Sequence, residues 1–278
     1  MSWEYEMECK LRETSVHYEI CGDGRPILML HGWPVDHTLM TSSFEQIFKN
    51  IDGWKRIYID LPGMGRTPGS KSIKTHEDML KVLIKFIDKV INNERFYLVG
   101  FSYGAYLTCG LIHRLQDTID GVMMVGPLIY AGQGKRILPE RTILNQNPKF
   151  IEELKANNFE QASNLHVDQN EEYLDFIINV AIPARARADY EFLDKIDFDE
   201  ELSFIQDEIT ITFDKPALVI TGKQDHVVGY ENAWDLSKSF PRATFAVLDY
   251  SGHIVALERS LLFQSLTKDW IDRCEREF

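Results

Sequence analysis

The chain has 278 residues, 44% of them hydrophobic, which suits one large α/β domain or one such domain with an insertion. Its formal net charge of −13 argues against nucleic acid and anionic membranes as partners. The four cysteines (Cys9, Cys21, Cys109 and Cys274) lie far apart with no metal-ligand spacing, so no metal is expected and a reducing compartment suits them.

Residues 1–6 are acidic and lack the apolar stretch of a signal peptide, so a cytoplasmic location is expected. Residues 7–20 alternate as an antiparallel hairpin would, and Cys21-Gly22-Asp23-Gly24 reads as a turn. Pro26–Leu30 is an apolar strand ending in His31-Gly32-Trp33-Pro34, and Lys55–Ile59 is a second strand ending at Asp60. From Thr75 to Asn92, Met79, Leu80, Leu83, Ile84, Ile87 and Ile91 fall at helical spacing. Phe96–Val99 reads as a buried strand, and Ala105–Ile112 as a helix. The uncharged run from Phe96 to Ile112 is shorter than the roughly 20 residues of a membrane span. Another strand follows at Gly121–Val125. Strands alternating with helices imply a mostly parallel sheet with crossover helices.

The alternation stops at Gly126-Pro127. Residues 130–205 are helix-like and hold 15 acidic against 8 basic residues. Those charges, including Glu171-Glu172 and Asp199-Glu200-Glu201, are expected on a solvated outer face. Strand character returns at Ile209–Phe213, Ala217–Ile220 and Thr244–Leu248.

Gly100-Phe101-Ser102-Tyr103-Gly104 sits where a strand turns into a helix. A serine held there between glycines has the pattern of a nucleophile elbow: the tight turn pushes the hydroxyl out over the positive end of a helix. Such a serine needs a base and an acid to orient that base, in the chain order Ser, Asp or Glu, His. Asp225 and His253 each follow a predicted strand in that order. Asp249 is a rival acid, but its closeness to His253 suits the end of a strand better. Gly126-Pro127-Leu128 offers no carboxylate after the strand at 121–125.

Five segments together resemble an α/β-hydrolase of the His-Gly-x-Pro type. They are His31-Gly32-Trp33-Pro34, Asp60-Leu61-Pro62-Gly63-Met64-Gly65, the Ser102 elbow, Gly222-Lys223-Gln224-Asp225 and Gly252-His253. The resemblance implies a mostly parallel sheet with flanking helices, a core of residues 1–129 and 206–278, and a helical cap over 130–205. It implies an oxyanion hole from the backbone N–H groups of Trp33 and Tyr103, and no cofactor. His31 becomes a support for that loop, and Asp60 an organiser of the loop at 62–65. The side chains of Trp33 and Tyr103 are candidates for the acyl pocket or for plain core packing.

The implied activity is hydrolysis of a small carboxylic ester through an acyl-enzyme on Ser102. Amide, lactone and carbon–carbon bond hydrolysis remain open, with proline iminopeptidases as near rivals, although those usually carry Gly-Gly-Ser-Trp-Gly at the elbow. A receptor-like binder of small ligands with little turnover is the alternative from another class.

Overall fold

A computed structural model describes residues 4–205 and 211–277. At its centre lies β5 (Phe96–Phe101), every residue of which is buried. A strand covered on both faces has no polar side, so its sequence is a continuous apolar run. It belongs to an eight-stranded sheet with β1 (Glu4–Lys10), β2 (Ser15–Cys21), β3 (Arg25–Leu30), β4 (Trp54–Ile59), β6 (Ile119–Val125), β7 (Ala217–Gly222) and β8 (Ala243–Leu248). The order is β1-β2-β4-β3-β5-β6-β7-β8. β2 runs antiparallel to β1 and to β4; all other pairs are parallel. The expected hairpin and parallel sheet are both present.

Side chains along each strand alternate between two cores. In β3, Leu28 and Leu30 face one core while Ile27 and Met29 face the other. The first core is closed by α2 (His76–Val90) and α3 (Tyr103–Leu115), through residues such as Leu83, Phe86 and Leu111. α1 (His37–Phe48) and the C-terminal helix Ser260–Glu275 cover the other face with Phe44, Phe263 and Trp270. α2 starts where the sequence places it: Thr75 is its N-cap and accepts from the Asp78 N–H at 3.2 Å, while Glu77 and Asp78 sit at the positive end of the helix.

Between β6 and β7 the chain leaves the sheet. This excursion contains α4 (Pro148–Ala156), with Asn147 as N-cap and Pro148 in the first turn, and a helical run from Glu171 to Ala186 interrupted by a π-helical turn at Ile177–Ala181. Phe150, Leu154, Ala162, Tyr173 and Ile177 form a small core of its own. Its outer acidic residues Glu171, Glu172, Asp199 and Glu200 are exposed as expected. Glu201 departs from that expectation. It is buried and accepts from the amides of Ala131 and Gly132, both at 3.1 Å, and from the Tyr106 hydroxyl at 2.9 Å. One carboxylate thus joins the two ends of the excursion.

Two further contacts tie the excursion to the sheet. Arg187 pairs with Asp36, the N-cap of α1, at 2.5 Å, and the Asp189 amide donates to the Gly63 carbonyl at 2.8 Å. The strand expected at 209–213 falls partly outside the described residues. Ile211 and Phe213 form no strand and instead bury their side chains in the core. Among the described residues, no helix is long and apolar enough to cross a membrane.

Candidate active site

β5 ends at Phe101, and α3 begins at Tyr103, leaving Ser102 alone in the turn. Its backbone is held at φ 52°, ψ −114°, a conformation that L-residues with a β-carbon avoid. The surroundings enforce it. The Ser102 amide donates to the Val125 carbonyl at 3.0 Å, and the Ser102 carbonyl accepts from Ala105 at 3.0 Å and from Leu128 at 3.2 Å. The flanking glycines permit the close approach: a β-carbon on Gly104 would stand 2.3 Å from the Leu30 carbonyl oxygen, and one on Gly100 would stand 2.7 Å from the Ala105 backbone. Strand and helix therefore meet at a distance only glycine allows.

Two loops bring the partners to this hydroxyl. His253 follows β8, and its Nε2 lies 3.0 Å from Ser102 Oγ. Its Nδ1 lies 2.9 Å from Oδ2 of Asp225, in the turn after β7. Asp225 is fully buried, and its Oδ1 accepts from the amides of Val227 at 2.9 Å and Val228 at 3.1 Å. Both carboxylate oxygens are thereby satisfied. The Nδ1 proton of His253 belongs on the Asp225 side, which leaves the Nε2 lone pair for the serine proton. Asp249, the rival acid, is exposed and accepts instead from Gln224 at 2.7 Å. The structure brings the three residues named from the sequence together at hydrogen-bonding distance.

Trp33 and Tyr103 lie on the two segments that adjoin Ser102. Tyr103 opens α3, so its N–H is one of the unpartnered donors of a helix N-terminus. Trp33 lies in the loop after β3, where a β-carbon on neighbouring Gly32 would stand 3.1 Å from Ser102 Cβ. His31 anchors that loop. It is fully buried, with Nδ1 2.7 Å from the Gly32 carbonyl and Nε2 accepting from the Leu61 amide at 3.0 Å. Burial lowers its pKa, so it is a fixed neutral strut rather than a proton carrier.

The two aromatic side chains divide between roles. Trp33 lines the cleft to which His253 also contributes. Tyr103 turns away from it: its hydroxyl lies 2.8 Å from His76 Nδ1, and its ring packs on Trp33, Tyr106 and Phe198. Burial pushes the His76 pKa down to about 4, so that contact is between neutral groups.

The cleft spans about 640 Å³, counted out to its solvent mouth. Phe101, His253 and Leu257 of the sheet framework meet Phe159, Phe176 and Ile177 of the excursion along its wall. The wall is apolar, with Arg185 and His166 as its charged or titratable members besides His253. The excursion thus lies over the carboxyl ends of the strands, where open α/β sheets hold ligands.

A third cluster went unseen in the sequence. Asp60, fully buried at the end of β4, lies 3.0 Å from His17 Nδ1 and 2.8 Å from His37 Nδ1, and it accepts from the Arg66 amide at 2.8 Å. The last contact organises the loop at 62–65 as expected. Asp60, His17 and His37 also offer three potential ligand atoms within 4.8 Å of one another. Their separations of 43 and 23 residues carry no recognisable spacing. The imidazoles already make hydrogen bonds to Asp60, and His37 Nε2 meets Glu19 at 2.9 Å, so the cluster is satisfied as a proton-bonded network.

Residues 25–260 match the alpha/beta hydrolase fold family. A monoacylglycerol lipase ABHD6 of Bos taurus is 24% identical over 91% of this chain and 79% of the relative. The AB hydrolase superfamily protein YisY of Bacillus subtilis is 22% identical over 91% of this chain and 94% of its own length. Among solved structures, an alpha/beta superfamily hydrolase from Oenococcus oeni superposes with a TM-score of 0.86 at 27% identity, covering 97% of this chain and 99% of that one. With the elbow, the sheet order and this match over most of its length, the chain belongs to the alpha/beta hydrolase fold family.

Proposed function

We propose that this chain is a serine hydrolase that cleaves a small carboxylic ester through an acyl-enzyme. The observation that carries this reading is the unbroken row Ser102–His253–Asp225, with contacts of 3.0 and 2.9 Å, whose histidine lines an apolar cleft. Ser102 attacks the carbonyl carbon as His253 takes its proton. Asp225 keeps the imidazole in the required tautomer and steadies the imidazolium that forms. The N–H groups of Trp33 and Tyr103 hold the developing oxyanion, each worth about 3–4 kcal/mol in the transition state. His253 then protonates the leaving alcohol, and water, deprotonated by His253, releases the acid. No step calls on a metal or a cofactor.

The excursion over residues 130–205 acts as a cap on a core formed by 1–129 and 206–278, because its residues supply half of the cleft wall. The wall is apolar apart from Arg185 and the histidines, which favours an acyl chain that is uncharged over most of its length. Curated relatives named as lipases and esterases agree with an ester as the scissile group. A serine at the elbow, rather than an aspartate nucleophile, separates this chain from the epoxide hydrolases that share its fold.

The test is multiple turnover of p-nitrophenyl esters together with labelling by a fluorophosphonate. Turnover and labelling that both vanish in Ser102→Ala support the reading. Labelling of Ser102 with a single slow acylation and no further turnover would assign a binder instead.

A further inference from the structure

Glu258 lies five residues after His253, at the end of the short turn Val255–Glu258. Its carboxylate is fully buried, and among the described residues no Lys or Arg pairs with it. Backbone amides satisfy it from two directions. Oε2 accepts from the Gly252 N–H at 2.6 Å and from the Ser251 hydroxyl at 3.4 Å, both in the loop that ends in His253. Oε1 accepts from the Val167 N–H at 2.7 Å and from Asp168 at 3.4 Å, both in the excursion. The Glu258 carbonyl also accepts from the Tyr173 hydroxyl at 3.5 Å.

The surfaces joined in this way are in close contact. A β-carbon on Gly252 would stand 3.0 Å from the Leu165 carbonyl oxygen and from Val167 Cγ2. Leu165 and His166, just before the bridged amide, belong to the cleft wall. His166 is buried against Phe150 and Tyr173, with Nδ1 3.7 Å from Glu258 Oε1 and no hydrogen-bond partner of its own. A charged acceptor of amide hydrogen bonds is strong and directional. This one therefore fixes the placement of two backbone segments, one carrying the proposed base and the other part of the acyl wall.

We propose that Glu258 is a positioning residue that sets His253 and the cap segment 165–168 relative to each other. The proposal rests on the serine-hydrolase reading above. It acts through His253 and not on substrate, so its loss falls on the acylation rate. An oriented base is sensitive to displacements of an ångström, which cost on the order of 100-fold when the donor–acceptor line is lost.

The experiment compares Glu258→Gln and Glu258→Ala with the parent, with Ser102→Ala alongside. Glu258→Gln keeps the shape but must turn its NH₂ toward one of the two donor amides. For p-nitrophenyl acetate, kcat and the fluorophosphonate labelling rate of the folded protein are expected to fall together by about 10–100-fold, with KM changed less than about 3-fold. Glu258→Ala falls further than Glu258→Gln. The gain in kcat/KM from lengthening the acyl chain is also expected to flatten in both, because the 165–168 wall loses its tether. If Glu258→Ala does not fold, Glu258→Gln decides the matter. A folded Glu258→Gln with parental kcat and labelling rate overturns the proposal. So does a loss that merely tracks the unfolded fraction. Activity surviving in Ser102→Ala would overturn the underlying reading instead, whatever the Glu258 variants do.

Discussion

Ser102 holds a backbone conformation that costs on the order of 1–3 kcal/mol, and its neighbours maintain it. The strain is useful only if the hydroxyl meets Nε2 of His253, so the three side chains should fail as a unit. Ser102→Ala is expected to lower ester turnover by at least about 10⁴-fold with an unchanged melting temperature, and His253→Ala by a similar factor. Asp225→Asn should cost about 10⁴-fold, less than the roughly 10⁶-fold that loss of the serine or the base can reach, because it disturbs the tautomer without removing the base. Asp249→Asn should leave turnover within about 2-fold of the parent, since that carboxylate is on the surface with Gln224. Steady-state kinetics on the four variants checks the assignment. An active Asp225→Asn beside a dead Asp249→Asn would reverse it.

At the level of elements, Asp60 ties the end of β4 to His17 of β2 and to His37 at the start of α1. His37 is buried, which alone would lower its pKa. Its hydrogen bonds to Asp60 and Glu19, with the charges they carry, override burial and raise it to about 10. Asp60 is held well below the usual carboxylate range: hydrogen bonds from His17 and His37 outweigh its burial, which by itself would raise it. The raised histidine contributes stability in full below its unfolded value of about 6.5, and that contribution is lost as pH rises through about 10. The depressed carboxylate contributes above about 4, and its share is lost as the medium becomes more acidic.

Melting temperature should therefore hold a plateau between about pH 4 and 6.5 and decline on the alkaline side, with His37→Ala flattening that decline. Differential scanning fluorimetry across pH 5 to 10 measures it. Asp60→Ala should destabilise by about 3–5 kcal/mol, because it leaves a buried imidazolium and two amides without an acceptor. Exhaustive dialysis against EDTA should change neither melting temperature nor turnover. A loss restored by a divalent ion would assign a structural metal to His17, His37 and Asp60.

The sheet strands, α2, the elbow and the Ser–Asp–His order were legible because each depends on local pattern. α1 and the helix Ser260–Glu275 went unnamed because their apolar positions are diluted: Thr41, Ser42 and Ser43 interrupt the first, and Leu261 and Leu262 are exposed in the second. The Asp60 network, the Glu201 clasp and the Glu258 bridge were invisible for another reason. Each joins residues tens of positions apart: the Glu201 and Glu258 contacts run largely to backbone amides, which leave no mark on residue type, and the two histidines on Asp60 stand at separations that form no pattern.

For the whole molecule, the cleft and the surface charge make separate predictions. The apolar cleft should reward each added methylene of the acyl chain by about 0.8 kcal/mol, roughly 4-fold in kcat/KM, until the chain reaches its solvent mouth. A p-nitrophenyl ester series from acetate upward should rise and then break. A flat series would show that the chain does not enter. The exposed acidic residues face solvent, so kcat/KM for an ester carrying an amine should change less than about 2-fold between low and high salt. A larger dependence would move those charges to the cleft mouth.

The Glu201 carboxylate brings Ala131 and Gly132 to the far end of the excursion, so some seventy residues begin and finish at one point on α3. Closing a loop costs little more when the loop is longer, so the length and content of what hangs from that point are nearly free to change. The excursion is therefore built like an exchangeable cassette. A relative's segment spliced in just inside Gly132 and Glu201 should leave the sheet hydrogen bonds undisturbed and transfer its own acyl preference. The graft must reproduce the tethers described above: an N–H where Val167 now offers its own, a cation for Asp36 where Arg187 stands, an amide for the Gly63 carbonyl where Asp189 stands, and apolar side chains in the places of Phe192, Leu193 and Ile196. On the serine-hydrolase reading, replacing that one parcel of sequence would change the acyl wall while Ser102, Asp225 and His253, all outside it, stay in place.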